Sequence, residues 1–117
     1  MKHNDLDAWK HSIKFVRNIY ELTSSFPPSE EFGLKRQLRK AAISVPSNLA
    51  EGSARKSDNE LIQFLYISLG SLAEIETQLI ISKELGFTNM ITEQLAGLKE
   101  LNKLFQGLIN YLKSKKT

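Results

Sequence analysis

Basic side chains are concentrated in one stretch of the sequence, residues 33–56. This stretch has six basic residues and one acidic residue, a formal charge of +5 in a chain whose total is +3, so the other segments together are slightly acidic. Charge that is set apart in this way indicates an acidic or polyanionic partner rather than general solubility. The six basic residues are Lys35, Arg36, Arg39, Lys40, Arg55 and Lys56.

Four of these residues, Lys35, Arg36, Arg39 and Lys40, form what we call the basic patch. Helical spacing would project them together over about a turn and a half of helix. The patch could bind nucleic-acid phosphates, contact acidic side chains of a neighbouring subunit or another protein, or simply be solvated. Nucleic acid is favoured because repetition of the patch around an oligomer would multiply its phosphate contacts.

The sequence has few other residues that could form a catalytic or metal-binding site. Cysteine is absent, which excludes a thiolate metal site and a cysteine nucleophile. His3, Asp7 and His11 follow one another at four-residue intervals, but a zinc site would need a second pair of ligands. The Glu-x-x-His motif of di-iron bundles and the glycine-rich phosphate loops do not occur. We therefore predict no enzymatic activity, no cofactor and no metal site.

The spacing of apolar residues predicts that helices position the basic stretch. In the first helix Leu6, Trp9, Ile13, Val16 and Tyr20 follow at intervals of three and four residues, which places them on one side. The alternation that is typical of strands is missing throughout. The pattern predicts one all-α domain, residues 1–117, with helices at about 5–24, 30–54, 58–85 and 89–113.

Capping residues suggest where the helices begin and end. A Pro-Pro pair ends the first helix, and Ser29 is a possible N-cap of the second. Ser57 and Glu60 form a capping box that should open the third helix. Gly86 should close the third helix in the left-handed conformation, and Thr88 should cap the fourth.

Pro46 lies in the middle of the second helix and removes one backbone hydrogen bond. It should kink this helix or split it with Ser44 as a new cap, and the kink is favoured because the apolar spacing continues in phase. Asn48, Glu51 and Arg55 could form a recognition cluster. A buried hydrogen-bonded network around the kink is the favoured interpretation, because buried polar groups need partners.

Small residues within the helical pattern predict close helix contacts. Gly52, Gly70 and Ser71 are interpreted as packing positions where another backbone comes near. Trp9, Tyr20 and Phe26 could stack on nucleic-acid bases, but helical spacing predicts that Trp9 and Tyr20 are core residues.

Four helices joined by short connections predict an antiparallel, up-down-up-down four-helix bundle with a Pro-kinked second helix. The apolar arcs of the first and third helices are about 200° wide, where a helix that faces one core usually shows about 100°. One subunit cannot cover that much apolar surface, so we expect a homo-oligomer.

Motif residues distributed over nearly the whole chain carry a family resemblance. They are Phe26, Pro27, Glu31, Gly33, Leu34, Gln37, Leu38, Arg39, Ala41, Ala42, Ser44, Pro46, Ser47, Asn48, Ala50, Glu51, Gly52, Arg55, Ser57, Phe64, Leu65, Gly70, Ser71, Glu74, Leu85 and Gly86. The most specific part is the run Ser-Val-Pro-Ser-Asn-Leu-Ala-Glu-Gly at residues 44–52. The chain resembles the four-helix-bundle family encoded in intervening sequences of bacterial 23S ribosomal RNA genes. The accessory protein of diversity-generating retroelements is a related branch.

The resemblance implies a ring-like homopentamer without enzymatic activity, with nucleic-acid binding in some members. Departures from the family pattern occur at Lys40, Val45, Leu49 and Ser68. At position 40 lysine stands where arginine is usual, which keeps the charge but loses the bidentate hydrogen-bonding fork.

These observations predict a homo-oligomeric protein that engages RNA or DNA phosphates through the basic patch, without base-specific readout. Further phosphate contacts should come from Arg55, Lys56 and the lysines of the C-terminal tail. The tail lysines are Lys113, Lys115 and Lys116. The alternative is an oligomeric scaffold that docks an enzyme encoded nearby, with no nucleic-acid contact.

No apolar run reaches the length of a membrane span, so we expect a cytoplasmic protein without a membrane partner.

Overall fold

A computed structural model describes residues 2–115, which fold as four α-helices without a strand. Short 3-10 turns at His3–Asp5 and Pro28–Glu30 precede the first and second helices. The described residues extend over 50 × 23 × 20 Å. The helices are α1, Asp7–Thr23; α2, Leu34–Ser53; α3, Asp58–Glu84; and α4, Thr92–Ser114.

Each helix packs against two others in the described chain. α2 contacts α1 and α3, and α4 contacts the same two helices from the other side. Leucine, isoleucine and phenylalanine side chains at three- and four-residue intervals fill the space between them. The largest fully buried apolar side chains are Phe105, Ile19, Leu38, Leu49, Leu65, Ile75, Leu79, Leu101, Ile109, Leu112 and Val45.

The predicted start of α2 is wrong by several residues. Ser29 does not cap a helix, because Pro28–Glu30 forms a separate 3-10 turn and α2 begins at Leu34. The backbone N–H of Leu34 donates to Glu30 Oε1 at 2.9 Å, so a carboxylate placed four residues earlier satisfies this free donor. The Glu30 carboxylate therefore caps α2 from the turn that precedes it.

The other helix ends agree with the sequence except at α4. Ser57 Oγ accepts from the Glu60 N–H at 3.2 Å, as the capping box predicted. Gly86 has a φ of 78° and closes α3. Thr88 does not cap α4, which begins at Thr92 after the buried Ile91. Ile91 is the N-cap of α4, with a non-helical backbone (φ −125°, ψ 14°).

α2 runs through Pro46 without a break, as the in-phase apolar spacing predicted. Ser44 is not a new cap. Its hydroxyl lies 2.6 Å from the Ala41 carbonyl oxygen and 2.6 Å from Ser71 Oγ. Ser68 Oγ of α3 donates to the Val45 carbonyl oxygen at 2.9 Å. Small polar residues therefore join α2 to α3 around the proline.

Two of the three small residues that were predicted to be packing positions make close contacts within the single chain. A Cβ at Gly52 would lie 2.7 Å from the Phe64 Cβ and 3.3 Å from the Leu61 Cα, so α2 and α3 meet closely there. Ser71 contacts Ser44, as above. Gly70 is exposed and has no atom within 4 Å of a built Cβ, because it faces away from the other three helices.

α3 is long and apolar enough to cross a membrane by length and composition, with a mean hydropathy of 1.3 over 18 residues. The expectation that no segment reaches this length is therefore wrong. In this chain α3 contacts both α2 and α4, and 33% of the 18-residue window is buried.

We predict that Gly52→Ala lowers the free energy of unfolding by about 1–3 kcal/mol, because the new methyl group would overlap side-chain and backbone atoms of α3. Urea denaturation followed by circular dichroism measures the change. Gly107→Ala in α4 is the control, because a Cβ there meets no atom within 4 Å. It should leave stability unchanged or raise it, and equal stability of the two variants would contradict the close contact.

Candidate nucleic-acid interface

The basic patch lies on the first two turns of α2, beside the last turn of α1. Here the chain forms an open pocket of about 500 Å³. Its lining combines the four cations with two aromatic rings, one acid and one aliphatic side chain. The lining residues are Tyr20, Glu31, Phe32, Lys35, Arg36, Arg39, Lys40 and Ile43.

Lys35 is partly buried and paired. Its side chain is 15% exposed, and its Nζ lies 3.0 Å from Glu31 Oε1. This pair spans four residues across the start of α2. Lys35 is therefore already paired with a carboxylate of its own chain.

Arg39 joins α2 to the end of α1. Its Nε donates to Thr23 Oγ1 at 2.9 Å, and its Nη2 donates to the Tyr20 carbonyl oxygen at 3.1 Å. The guanidinium carbon lies 4.2 Å from the centre of the Tyr20 ring. A cation beside carbonyl oxygens at a helix C-terminus also interacts favourably with the helix dipole. Arg39 thus has a structural function in this chain.

Arg36 and Lys40 are exposed, and neither forms an ion pair with another described residue. The Arg36 guanidinium carbon lies 5.9 Å from the centre of the Phe32 ring. These two side chains are one helical turn apart on α2, so they can reach one ligand together. They are the part of the basic patch that remains available to a partner.

Arg55 and Lys56 lie beyond the opposite end of α2, about 25 Å along its axis from Arg36. Arg55 Nη2 lies 2.7 Å from Glu51 Oε2, and its guanidinium carbon lies 4.9 Å from the centre of the Phe64 ring. The structure therefore does not bring Arg55 and Lys56 together with the basic patch.

The buried network predicted around Pro46 is not present in the single chain. Arg55 and Glu51 are exposed and pair with each other, and the Arg55 guanidinium lies against the Phe64 ring of α3. Asn48 Nδ2 donates instead to the Ser44 carbonyl oxygen at 2.8 Å.

The C-terminal lysines pair with α3. Lys113 Nζ donates to the Tyr66 hydroxyl at 2.8 Å, and Lys115 Nζ lies 3.3 Å from Asp58 Oδ2. Lys116 is outside the described residues. Two of the three tail lysines are thus fixed on α3, away from the pocket beside α2.

Comparison with protein-family models matches residues 4–110 to one family, described as 23S rRNA-intervening sequence protein. The chain belongs to this family. The match covers most of the chain, including α1, α2, α3 and most of α4, and it confirms the resemblance found in the sequence. No curated protein matches the chain.

Two aromatic positions of this family member differ from the sequence interpretation. Tyr20, predicted to be a core residue, is 37% exposed and lies under Arg39, whereas Trp9 is partly buried against the core. Phe32 was not singled out at all, although it is 80% exposed beside Arg36. The sequence does contain a signal for this exposure. Phe32 lies between Glu31 and Gly33 and is not part of the apolar pattern of either neighbouring helix.

The candidate metal residues do not assemble. Among residues 2–115, no three histidine, aspartate or glutamate side chains are placed to hold a metal ion. The His3 ring instead packs edge-on against Trp9, with 5.4 Å between ring centres.

We predict that Arg39→Met lowers the free energy of unfolding by about 1–3 kcal/mol, because it leaves the Thr23 and Tyr20 oxygens without this donor. Lys40→Met, which removes a neighbouring exposed cation, should change it by less than about 0.5 kcal/mol. Thermal and urea unfolding provide the comparison. If both variants are equally stable, Arg39 does not connect α1 to α2 in solution.

Proposed function

We propose that this protein is a non-enzymatic, homo-oligomeric nucleic-acid-binding protein that contacts phosphates through the basic patch on α2. The observation that carries this proposal is the pair Arg36 and Lys40, which are exposed and lack an acidic partner among the described residues. They lie in the most basic stretch of the chain. Arg36 supplies a planar fork of donors, and Lys40 supplies a compact charge, both of which suit phosphate oxygens.

The six predicted residues then have different functions. Arg36 and Lys40 make the phosphate contacts, while Lys35 and Arg39 add positive potential at short range from positions fixed by Glu31 and by the end of α1. Arg55 and Lys56 contact a ligand only if it extends along α2 or reaches another copy. Since each neutralised phosphate adds to affinity, such additional contacts strengthen binding without base-specific readout.

Contacts along α2 and α3 support an antiparallel bundle. Gln37 contacts Gln78, Ser44 contacts Ser71, and Gly52 approaches Leu61. Later residues of α2 therefore meet earlier residues of α3. This order supports the up-down-up-down arrangement with one basic patch at the α1–α2 end of each subunit.

Exposed apolar side chains on α3 support association of several copies. Ile67 and Ile81 are 51% and 41% exposed, and they lie on the same side of α3 as Gly70. A glycine on an apolar outer face allows another helix to approach closely. We propose that this face contacts a second copy, and that five copies assemble, the number that the family resemblance implies.

The same exposed face favours a second candidate, an oligomeric scaffold that docks an enzyme encoded nearby. Purification from the native host separates the two functions. Nuclease-sensitive nucleic acid supports the first, and one stoichiometric protein supports the second. We place either complex in the cytoplasm and away from membranes, because the exposed Glu74 lies among the apolar residues on the outer face of α3 and would be costly to bury in lipid.

We predict that the double variant Arg36→Glu/Lys40→Glu binds a 20-base-pair duplex at least tenfold more weakly at low salt. Log affinity should also fall less steeply with log salt concentration. The magnitude of the slope should drop by about two, because about two phosphate contacts are lost. Fluorescence anisotropy over a salt series measures both effects. Lys99→Glu/Lys103→Glu changes the net charge equally on the exposed side of α4 and is the control. Equal affinity of both double variants and the wild type would contradict binding through the patch.

We predict that light scattering gives a mass close to five times 13.3 kDa. Ile67→Lys/Ile81→Lys should reduce this mass, because a buried unpaired charge at a contact between copies is costly. Asn102→Lys/Asn110→Lys, at exposed positions of α4, should leave it unchanged. A wild-type protein that stays monomeric at micromolar concentration would refute the assembly.

A further inference from the structure

Phe32 is an apolar ring displayed to solvent beside the available cations. At 80% exposed, it is the most exposed large apolar side chain in the described chain. Burying its ring would be favourable, since an aromatic side chain has a large apolar area. Its neighbours in the open pocket include Tyr20, Arg36 and Lys40.

The backbone around Phe32 is held by hydrogen bonds. The Glu30 N–H donates to the Pro27 carbonyl oxygen at 2.8 Å, and the Gly33 N–H donates to the Glu30 carbonyl oxygen at 3.1 Å. Glu30 also accepts from the Leu34 N–H, which ties the turn to the start of α2. Because the turn is ordered in advance, a partner that covers Phe32 loses little affinity to ordering the chain.

The composition of the pocket selects among possible partners. An apolar face of a second copy could cover Phe32, but it would also bury Arg36 and Lys40 without an acidic partner, which is costly. A duplex could satisfy the cations, but its bases are stacked inside the helix and cannot cover the ring. An unpaired nucleotide satisfies both requirements, since its base has a π-face and its phosphate is an anion.

We propose that Phe32 is a stacking platform for an unpaired base, and that Arg36 and Lys40 bind the phosphates flanking that base. The preferred ligand of the basic patch is then single-stranded nucleic acid, or a loop or end with unpaired nucleotides, rather than a continuous duplex. This inference rests on the proposed function, because it names the ligand class of the same site. Stacking is tolerant of sequence, which agrees with binding that lacks base-specific readout.

The test compares affinities for an unstructured 12-nucleotide single strand and for a duplex of the same length by fluorescence anisotropy. Phe32→Ala should weaken single-strand binding about 5- to 100-fold, the range expected for loss of one base–aromatic contact. Duplex binding should change less than twofold. Phe32→Trp should retain single-strand affinity, and Phe32→Leu, which keeps apolar volume but lacks a ring, should lose it. Met90→Ala, at another exposed apolar position, should affect neither ligand.

A direct readout of stacking is the fluorescence of 2-aminopurine placed in the single strand. Wild type and Phe32→Trp should quench it, and Phe32→Ala should not. Circular dichroism and light scattering verify that each variant keeps its fold and mass.

The remaining outcomes separate the two proposals. If wild type binds neither ligand, the proposed function fails and stacking fails with it. If both ligands bind and Phe32→Ala changes neither affinity, the stacking proposal alone is overturned. If Phe32→Ala lowers the mass of the assembly, Phe32 is a contact between copies and the stacking proposal is also overturned.

Discussion

The close contact between α2 and α3 is the constraint on which the rest of the structure depends. Gly52 lets the end of α2 approach Leu61 and Phe64, and further along the interface Ser44 and Ser71 form a hydrogen bond. A larger residue at these positions would separate the helices and open the core, where packing is dense. Because α2 is fixed along α3 in this way, its opposite edge is left to receive α1 and to carry the basic patch.

The cations of the basic patch differ in their roles: some hold the fold together, and others are exposed and unpaired. Arg39 belongs to the first kind. It donates to the last turn of α1 and lies against Tyr20, so one side chain connects two helices and lines the pocket. Lys35 is paired with Glu31. Arg36 and Lys40 are left exposed, without an ion pair to another described residue. The strength of such a site depends on which charges are already paired, and counting lysine and arginine does not reveal this.

Much of the fold followed from local sequence rules. The apolar periodicity gave four helices, Ser57 and Gly86 bounded α3 as expected, and the in-phase spacing of α2 correctly indicated continuity through Pro46. The errors occurred where a distant or unusual partner replaced the expected local one. Glu30 capped α2 from the preceding turn, and α4 began at Thr92, after the buried N-cap residue Ile91. Tyr20 fitted the apolar stripe of α1 by spacing, but in the structure it lies at the edge of the core under Arg39. The candidate site was located by charge, while the pairing of each cation required three-dimensional contacts.

The turn before α2 makes residues 30 and 33 interdependent. A Cβ at Gly33 would lie 2.6 Å from Glu30 Oε1, the same atom that accepts from the Leu34 N–H. A side chain at position 33 could be accommodated only by moving the Glu30 carboxylate, which would give up the cap of α2. The cost of replacing Gly33 thus depends on whether Glu30 is present, and the cost of replacing Glu30 depends on the residue at 33. This turn is therefore a site of epistasis, where evolution changes two positions jointly more easily than either one alone.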